Sequence, residues 1–245
     1  MFINAPVAHQ SGAIAMGRIG VSLGIGATAF AAAAGEAEAG AWIAPEGGQE
    51  IVAMTLGERD AFTVSETDVY LEQPLNRRLS FVAQPRFSYS EETAQEPFQA
   101  DVSAGVKAQL YRGPWAAAAV QASAVWRNEP EELSCGEGGG EVRALAGIST
   151  PRSFYNVEAA FRLQSGGCAR QRLEATAGYR PNDRWLALGN TFLEATATGD
   201  NSVKAQASLV RFGRGGGLQI GVRFRLDGDR REPALVLGWW SPLRG

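Results

Sequence analysis

The side chains best suited to acid–base chemistry are few and oddly placed. The 245-residue chain has one histidine, His9, and two cysteines, Cys135 and Cys168. Histidine is the usual general base because it titrates near neutral pH. His9 lies ahead of a segment that reads as a leader, so the mature chain would hold no histidine. Ser-His-Asp and Asp-His hydrolysis are thereby excluded unless processing leaves His9 in place, while a Ser–Lys or carboxylate-pair mechanism stays formally open. No motif suggests a Ser–Lys or carboxylate-pair substitute, and phosphate loops, CxxC pairs and dinucleotide fingerprints are missing from the sequence. No metal-ligand spacing supports a metal site. The residues therefore point away from an enzyme and imply no cofactor.

What remains is charge at alternate positions. Arg86, Asp101, Lys107, Arg143, Glu158, Arg162, Arg172, Glu174, Glu194, Lys204, Arg223 and Arg225 stand on the polar side of alternating stretches, with Asp68, Glu72 and Arg127 beside them. Tyr155, Val157, Ala159, Phe161 and Leu163 alternate with Asn156, Glu158, Ala160, Arg162 and Gln164. Leu218, Ile220, Val222, Phe224 and Leu226 alternate with Gln219, Gly221, Arg223 and Arg225. A period of two is the signature of a strand with unlike faces. If the polar faces turn inward, these charges line a lumen. They could pair and cross-link opposite walls, or the arginines could form a track that attracts anions, as basic rings do in anion-selective pores.

The elements that must position them repeat along the chain. Alternating segments run over 49–56, 66–73, 78–89, 98–110, 115–127, 141–149, 153–164, 170–180, 184–197, 202–212, 216–226 and 233–242. Most approach the ~9–11 residues of a tilted strand crossing a bilayer. Tight turns at Asn76-Arg77, Arg112-Gly113-Pro114, Pro151-Arg152, Pro181-Asn182-Asp183 and Gly213–Gly217 alternate with longer loops at Gly57–Ser65, Ser90–Pro97 and Asn128–Gly140. Short turns on one side and longer loops on the other are the asymmetry of outer-membrane barrels. Tyr111, Trp115, Tyr155, Tyr179, Trp185 and Trp240 gather beside the tight turns, where an interfacial aromatic girdle would lie. The expected fold is all-β: a transmembrane up-and-down antiparallel β-barrel of about 12 strands. A soluble secreted barrel or sandwich, with its apolar face inside, is the alternative.

The front of the chain reads as a processing signal. Met16-Gly17-Arg18 precedes an apolar run from Ile19 to Ala34, then Ala37-Glu38-Ala39 before Gly40. Residues 1–39 are expected to be a signal peptide, with translation starting at Met16 as one option, and 40–245 the barrel. An uncleaved anchor helix is the competing reading. The chain's net charge is −3. Loss of Arg18, Glu36 and Glu38 leaves about −2. That balance does not suit a nucleic-acid binder. In an exported chain, Cys135 and Cys168, on neighbouring outer loops, are expected to form a disulfide.

The opening Gly40-Ala41-Trp42, followed by Pro45, Gly47 and a strand at Ile51, resembles that of small proteobacterial porin-like barrels often labelled transporters. Some are grouped with phenol-degradation pathways, others with surface-polysaccharide or adhesion loci. The resemblance implies the outer membrane of a Gram-negative bacterium, with lipid, lipopolysaccharide and the barrel-assembly machinery as partners. Such barrels commonly end in an aromatic residue, whereas this sequence ends Trp239-Trp240-Ser241-Pro242-Leu243-Arg244-Gly245. The expected role is a narrow passive pore for small polar or anionic solutes, sugars among them. A closed structural, adhesion- or exopolysaccharide-associated surface barrel and a soluble barrel binding a small ligand are the alternatives.

Overall fold

The computed structural model describes residues 40–59, 62–91, 97–128, 136–196, 201–227 and 232–243. The leader expected over 1–39 and Cys135 lie outside the described residues. Twelve strands follow in order: β1 Gln49–Arg59, β2 Phe62–Pro74, β3 Leu79–Ser90, β4 Phe98–Arg112, β5 Ala116–Arg127, β6 Gly138–Ser149, β7 Ser153–Gln164, β8 Ala169–Asn182, β9 Trp185–Thr196, β10 Asn201–Gly213, β11 Gly216–Arg225 and β12 Glu232–Pro242. Each pairs with its chain neighbours, and β1 closes on β12 to complete an antiparallel up-and-down barrel. Closure matters because an open edge would leave unpaired backbone groups in lipid. Twelve residues rising ~3.3 Å each, tilted about 40°, cover the ~25 Å apolar band of such barrels.

Two segments differ from their sequence reading. The first hairpin is not a loop from Gly57 to Ser65: Glu58 pairs with Thr63 and Arg59 with Phe62, so the ladder runs almost to its tip. The second lies in the Asn128–Gly140 stretch. β6 already begins at Gly138, where Gly139 and Gly140 pair with Gln164 and Leu163. Glycine weakens a strand but keeps both backbone hydrogen-bonding groups, so a ladder flanked on both sides can hold it.

The faces are inverted relative to a soluble barrel. On β11, Leu218 is 60 % exposed and its neighbour Gln219 only 4 %. Along β5, Gln121 and Ser123 are buried in the interior, while Val120 and Trp126 are exposed outside. Water outside would be an unfavourable solvent for Leu110, Val142, Leu163, Leu218 and Ile220, all of which are exposed; hydrocarbon would not.

Candidate functional site

The inward side chains fill the lumen in two unlike halves. The half near the tight turns holds the segment ahead of β1. Ala41, Trp42 and Ala44 are buried there, and Ala41 and Trp42 pack with Ala117, Ala119 and Leu145 of the barrel wall. The Trp42 ring lies on Gly147, where even a methyl group would fall 2.3 Å from it. A turn at Gly47 and Gly48, with φ of 94° and 85°, redirects the chain from the lumen into β1. The Gly48 amide donates to the Pro45 carbonyl across this turn.

The segment is held by a fully buried ion pair. Lys107 Nζ donates to the carbonyls of Trp42 at 2.7 Å and Gly40 at 3.1 Å, and to Glu72 at 2.7 Å. Glu72 also accepts from Ser80 Oγ at 2.6 Å, from the Tyr70 hydroxyl and from the Ala44 amide. Gln109 donates to the Ala41 carbonyl. Lys107 and Glu72 are both 0 % exposed, so they have only each other and these dipoles for solvation. They come together because Ser80 and Lys107 are register partners on β3 and β4, and Glu72 is on the adjoining β2.

The half toward the longer loops is lined by charges. Each of the twelve charged positions singled out in the sequence has an opposite charge within reach. Arg86 bonds Asp68 at 2.5 Å, Arg172 bonds Glu174 at 2.9 Å and Glu194 faces Arg170 at 3.5 Å. Arg143 joins Glu141 at 2.5 Å and Glu158 at 3.6 Å. Arg162 reaches from β7 past two strands to Asp101 on β4 at 2.5 Å, and also binds Glu141. Lys204 and Arg223, from β10 and β11, both reach Glu66 on β2, at 3.3 and 3.1 Å. These are chords across the lumen as well as links along its wall. At the loop rim Arg225 meets Asp227 through two 3.0 Å hydrogen bonds, which hold the Asp227 carboxyl below its ordinary range. Between the halves is a cavity of about 250 Å³. Its wall includes Phe192, over which Arg172 and Arg223 lie at 6.0 and 5.2 Å.

Outside the barrel, Tyr111, Trp115, Tyr155, Tyr179 and Trp185 are exposed beside the tight turns. Trp240 is not with them. It faces the lumen, donates from Nε1 to Gln219 at 2.7 Å and meets Phe212 edge-on, while Trp239 takes the outer position. Adjacent residues on a strand point to opposite faces, so only one member of the Trp239–Trp240 pair can join the girdle. Cys168 lies in the turn between β7 and β8, and no cysteine is free among the described residues.

Sequence reasoning missed the buried segment itself. Gly40 to Ala44 has no periodicity, and its partners lie far along the chain. The one local hint was a tryptophan in a short stretch of small residues, followed by the glycine pair Gly47-Gly48.

Fold and site together define the class: a closed twelve-stranded β-barrel of the outer-membrane type, with an apolar wall and a polar interior. No family model matches the sequence, and no curated protein matches it. Solved structures share its fold. The NanC porin superposes with a TM-score of 0.56 at 10% identity, covering 79% of this chain and 98% of that one. The COG4313 outer membrane channel from Pseudomonas putida F1 gives 0.55 at 11%, covering 82% and 97%. The KdgM porin gives 0.54 at 7%, covering 78% and 98%.

Proposed function

We propose that the protein is a narrow passive pore for small polar solutes in the outer membrane of a Gram-negative bacterium. The observation that carries this is a polar, charge-lined lumen with its own cavity inside an apolar wall. The fold shared with the porins and the channel above supports it. The pairing of the lumen charges favours polar over strongly anionic solutes, because each lumen arginine expected from the sequence already has a carboxylate. The pore is shut in this conformation at the tight-turn end by residues 40–45. Tyr111, Trp115, Tyr155, Tyr179 and Trp185 anchor the barrel at one membrane interface, with Trp239 in place of Trp240. Lipid, lipopolysaccharide and the barrel-assembly machinery are its partners, and its role is not catalytic.

The test is single-channel conductance of the refolded chain 40–245 in a planar bilayer, beside a chain beginning at Glu46. Small or rare steps from the first and larger, steady steps from the second support the pore. A folded, heat-modifiable barrel that conducts in neither form overturns it. The second reading, a closed structural surface barrel, is favoured by the ion pairs that span the lumen, and that outcome would establish it.

We also propose that Cys168 pairs with Cys135 across neighbouring outer loops. Reduction is expected to lower stability by ~3–4 kcal/mol in the chain-entropy model. Intact mass with and without reductant checks the bond, and urea unfolding of both forms checks the size.

A further inference from the structure

The two rims of the barrel lean to opposite charge. Every tight turn carries an exposed arginine: Arg77 and Arg78, Arg112, Arg152, Arg184 and Arg214. The acids at that end are Glu46, Glu50 and Asp183, whereas exposed acids stand at the loop end at Glu58, Glu91 and Glu137. Unlike the paired arginines of the lumen, those of the turns form no ion pair among the described residues. Arg211 sets the level of this rim. It stands on the outer face of β10, where its register partners are the outward Trp185 and Leu218. Its guanidinium carbon lies 5.7 Å from the centre of the Trp185 ring, and it too forms no ion pair among the described residues. An arginine on the lipid face of a barrel is costly at the bilayer midplane and tolerated near the interface. Arg184 precedes Trp185, and its carbonyl accepts from the Phe212 amide at 2.8 Å, which brings it beside Arg211. Arg214 follows in the next turn. The Arg184 amide donates to the Asn182 side chain at 3.0 Å, which fixes the turn.

We infer that Arg184, Arg211 and Arg214, gathered around Trp185, bind the phosphate group of an anionic phospholipid in the leaflet that the tight turns reach. The guanidinium fork matches the paired oxygens of a phosphate. An indole beside it belongs at the headgroup level, where tryptophan is enriched. Depth favours a lipid over an acidic polymer of the periplasm. A polymer would meet the turns from below, whereas Arg211 stands on the barrel wall among outward apolar side chains. Short turns face the periplasm in barrels of this type, so the occupant is a glycerophospholipid and not lipopolysaccharide. The inference rests on the membrane-spanning reading above and is tested separately from conduction.

The experiment is native mass spectrometry of the refolded chain 40–245 in detergent micelles, with phosphatidylglycerol and phosphatidylcholine of matched acyl chains present in equal amounts. Preferential retention of phosphatidylglycerol is expected, weakened about five-fold by Arg211→Gln and abolished when Arg184→Gln and Arg214→Gln are added. A charge-matched chain carrying Arg78→Gln, Arg112→Gln and Arg152→Gln should keep the preference. Heat-modifiable mobility shows that each variant is folded. Equal retention of the two lipids by the parent chain, or equal loss in the two triple variants, overturns the inference. Displacement of phosphatidylglycerol by free inorganic phosphate also overturns it, because the site would then take a soluble anion. Conductance separates this site from the pore. A barrel that sorts the two lipids but never conducts keeps the site and loses the pore, and one that conducts but holds both lipids equally does the reverse.

Discussion

The two halves of the lumen solve the same problem in opposite ways. Near the tight turns the interior is dry: Lys107 and Glu72 are sealed among Trp42, Ala117, Ala119 and the backbone of the entering segment. Toward the loops, Arg143, Glu141 and Arg162 are buried too, but Arg86, Asp68, Lys204 and Glu66 remain 24–33 % exposed although they are paired. A sealed pair has no water to fall back on, so losing one partner strands a charge. A half-wet pair exchanges its partner for water at little cost. The first half is built to hold a shape, and the exposed pairs of the second can rearrange at little cost.

The sharpest way to break this contrast is Lys107→Met. Glu72 is left buried without its cation, and the Gly40 and Trp42 carbonyls lose their donor. A loss of about 3–5 kcal/mol is expected, read by urea unfolding of the barrel in micelles. Adding Glu72→Gln should recover part of it, since the stranded charge then disappears. An unchanged midpoint for Lys107→Met would place the pair in contact with water.

Next in size is Gly147→Val, which puts a side chain where the Trp42 ring lies. Overpacking of ~1–3 kcal/mol should expel the segment without unfolding the barrel. The expected readout is lost exchange protection over residues 40–48 with an unchanged barrel midpoint.

Lys204→Gln addresses the wetter half, since Lys204 is 30 % exposed and pairs with Glu66. Stability should move by no more than about 1 kcal/mol. Glu66 loses one cation, so the reversal potential in a salt gradient should shift toward cations. A stability loss as large as that of Lys107→Met would erase the distinction between the halves.

The smallest expected effect sharpens the assignment of faces. Brominated lipid should quench Trp239 in a Trp240→Phe chain more strongly than it quenches Trp240 in a Trp239→Phe chain. Equal quenching would contradict the orientation of β12.

Much of the barrel is legible in the sequence because strand side chains alternate by geometry. The runs over 153–164 and 216–226 differ from β7 and β11 by a residue at most. The misread places are those where local chemistry and backbone pairing disagree. Glu58, Arg59 and Gly138–Gly140 look like loop, yet their backbones continue a ladder supplied by the partner strand.

By itself, the sequence determined the period of two, the alternation of tight turns with longer loops and the polar identity of one strand face. Only the tertiary structure decided that the polar face lies inside, that Trp240 rather than Trp239 joins it, and that Ala41, Trp42 and Ala44 are buried at the tight-turn end. Parity is local, since each strand position sets the direction of the next. The seat of the entering segment is not local: Lys107 meets Gly40 across 67 positions of chain, and Glu72 meets Ala44 across 28. Those contacts join segments that only the tertiary structure brings together.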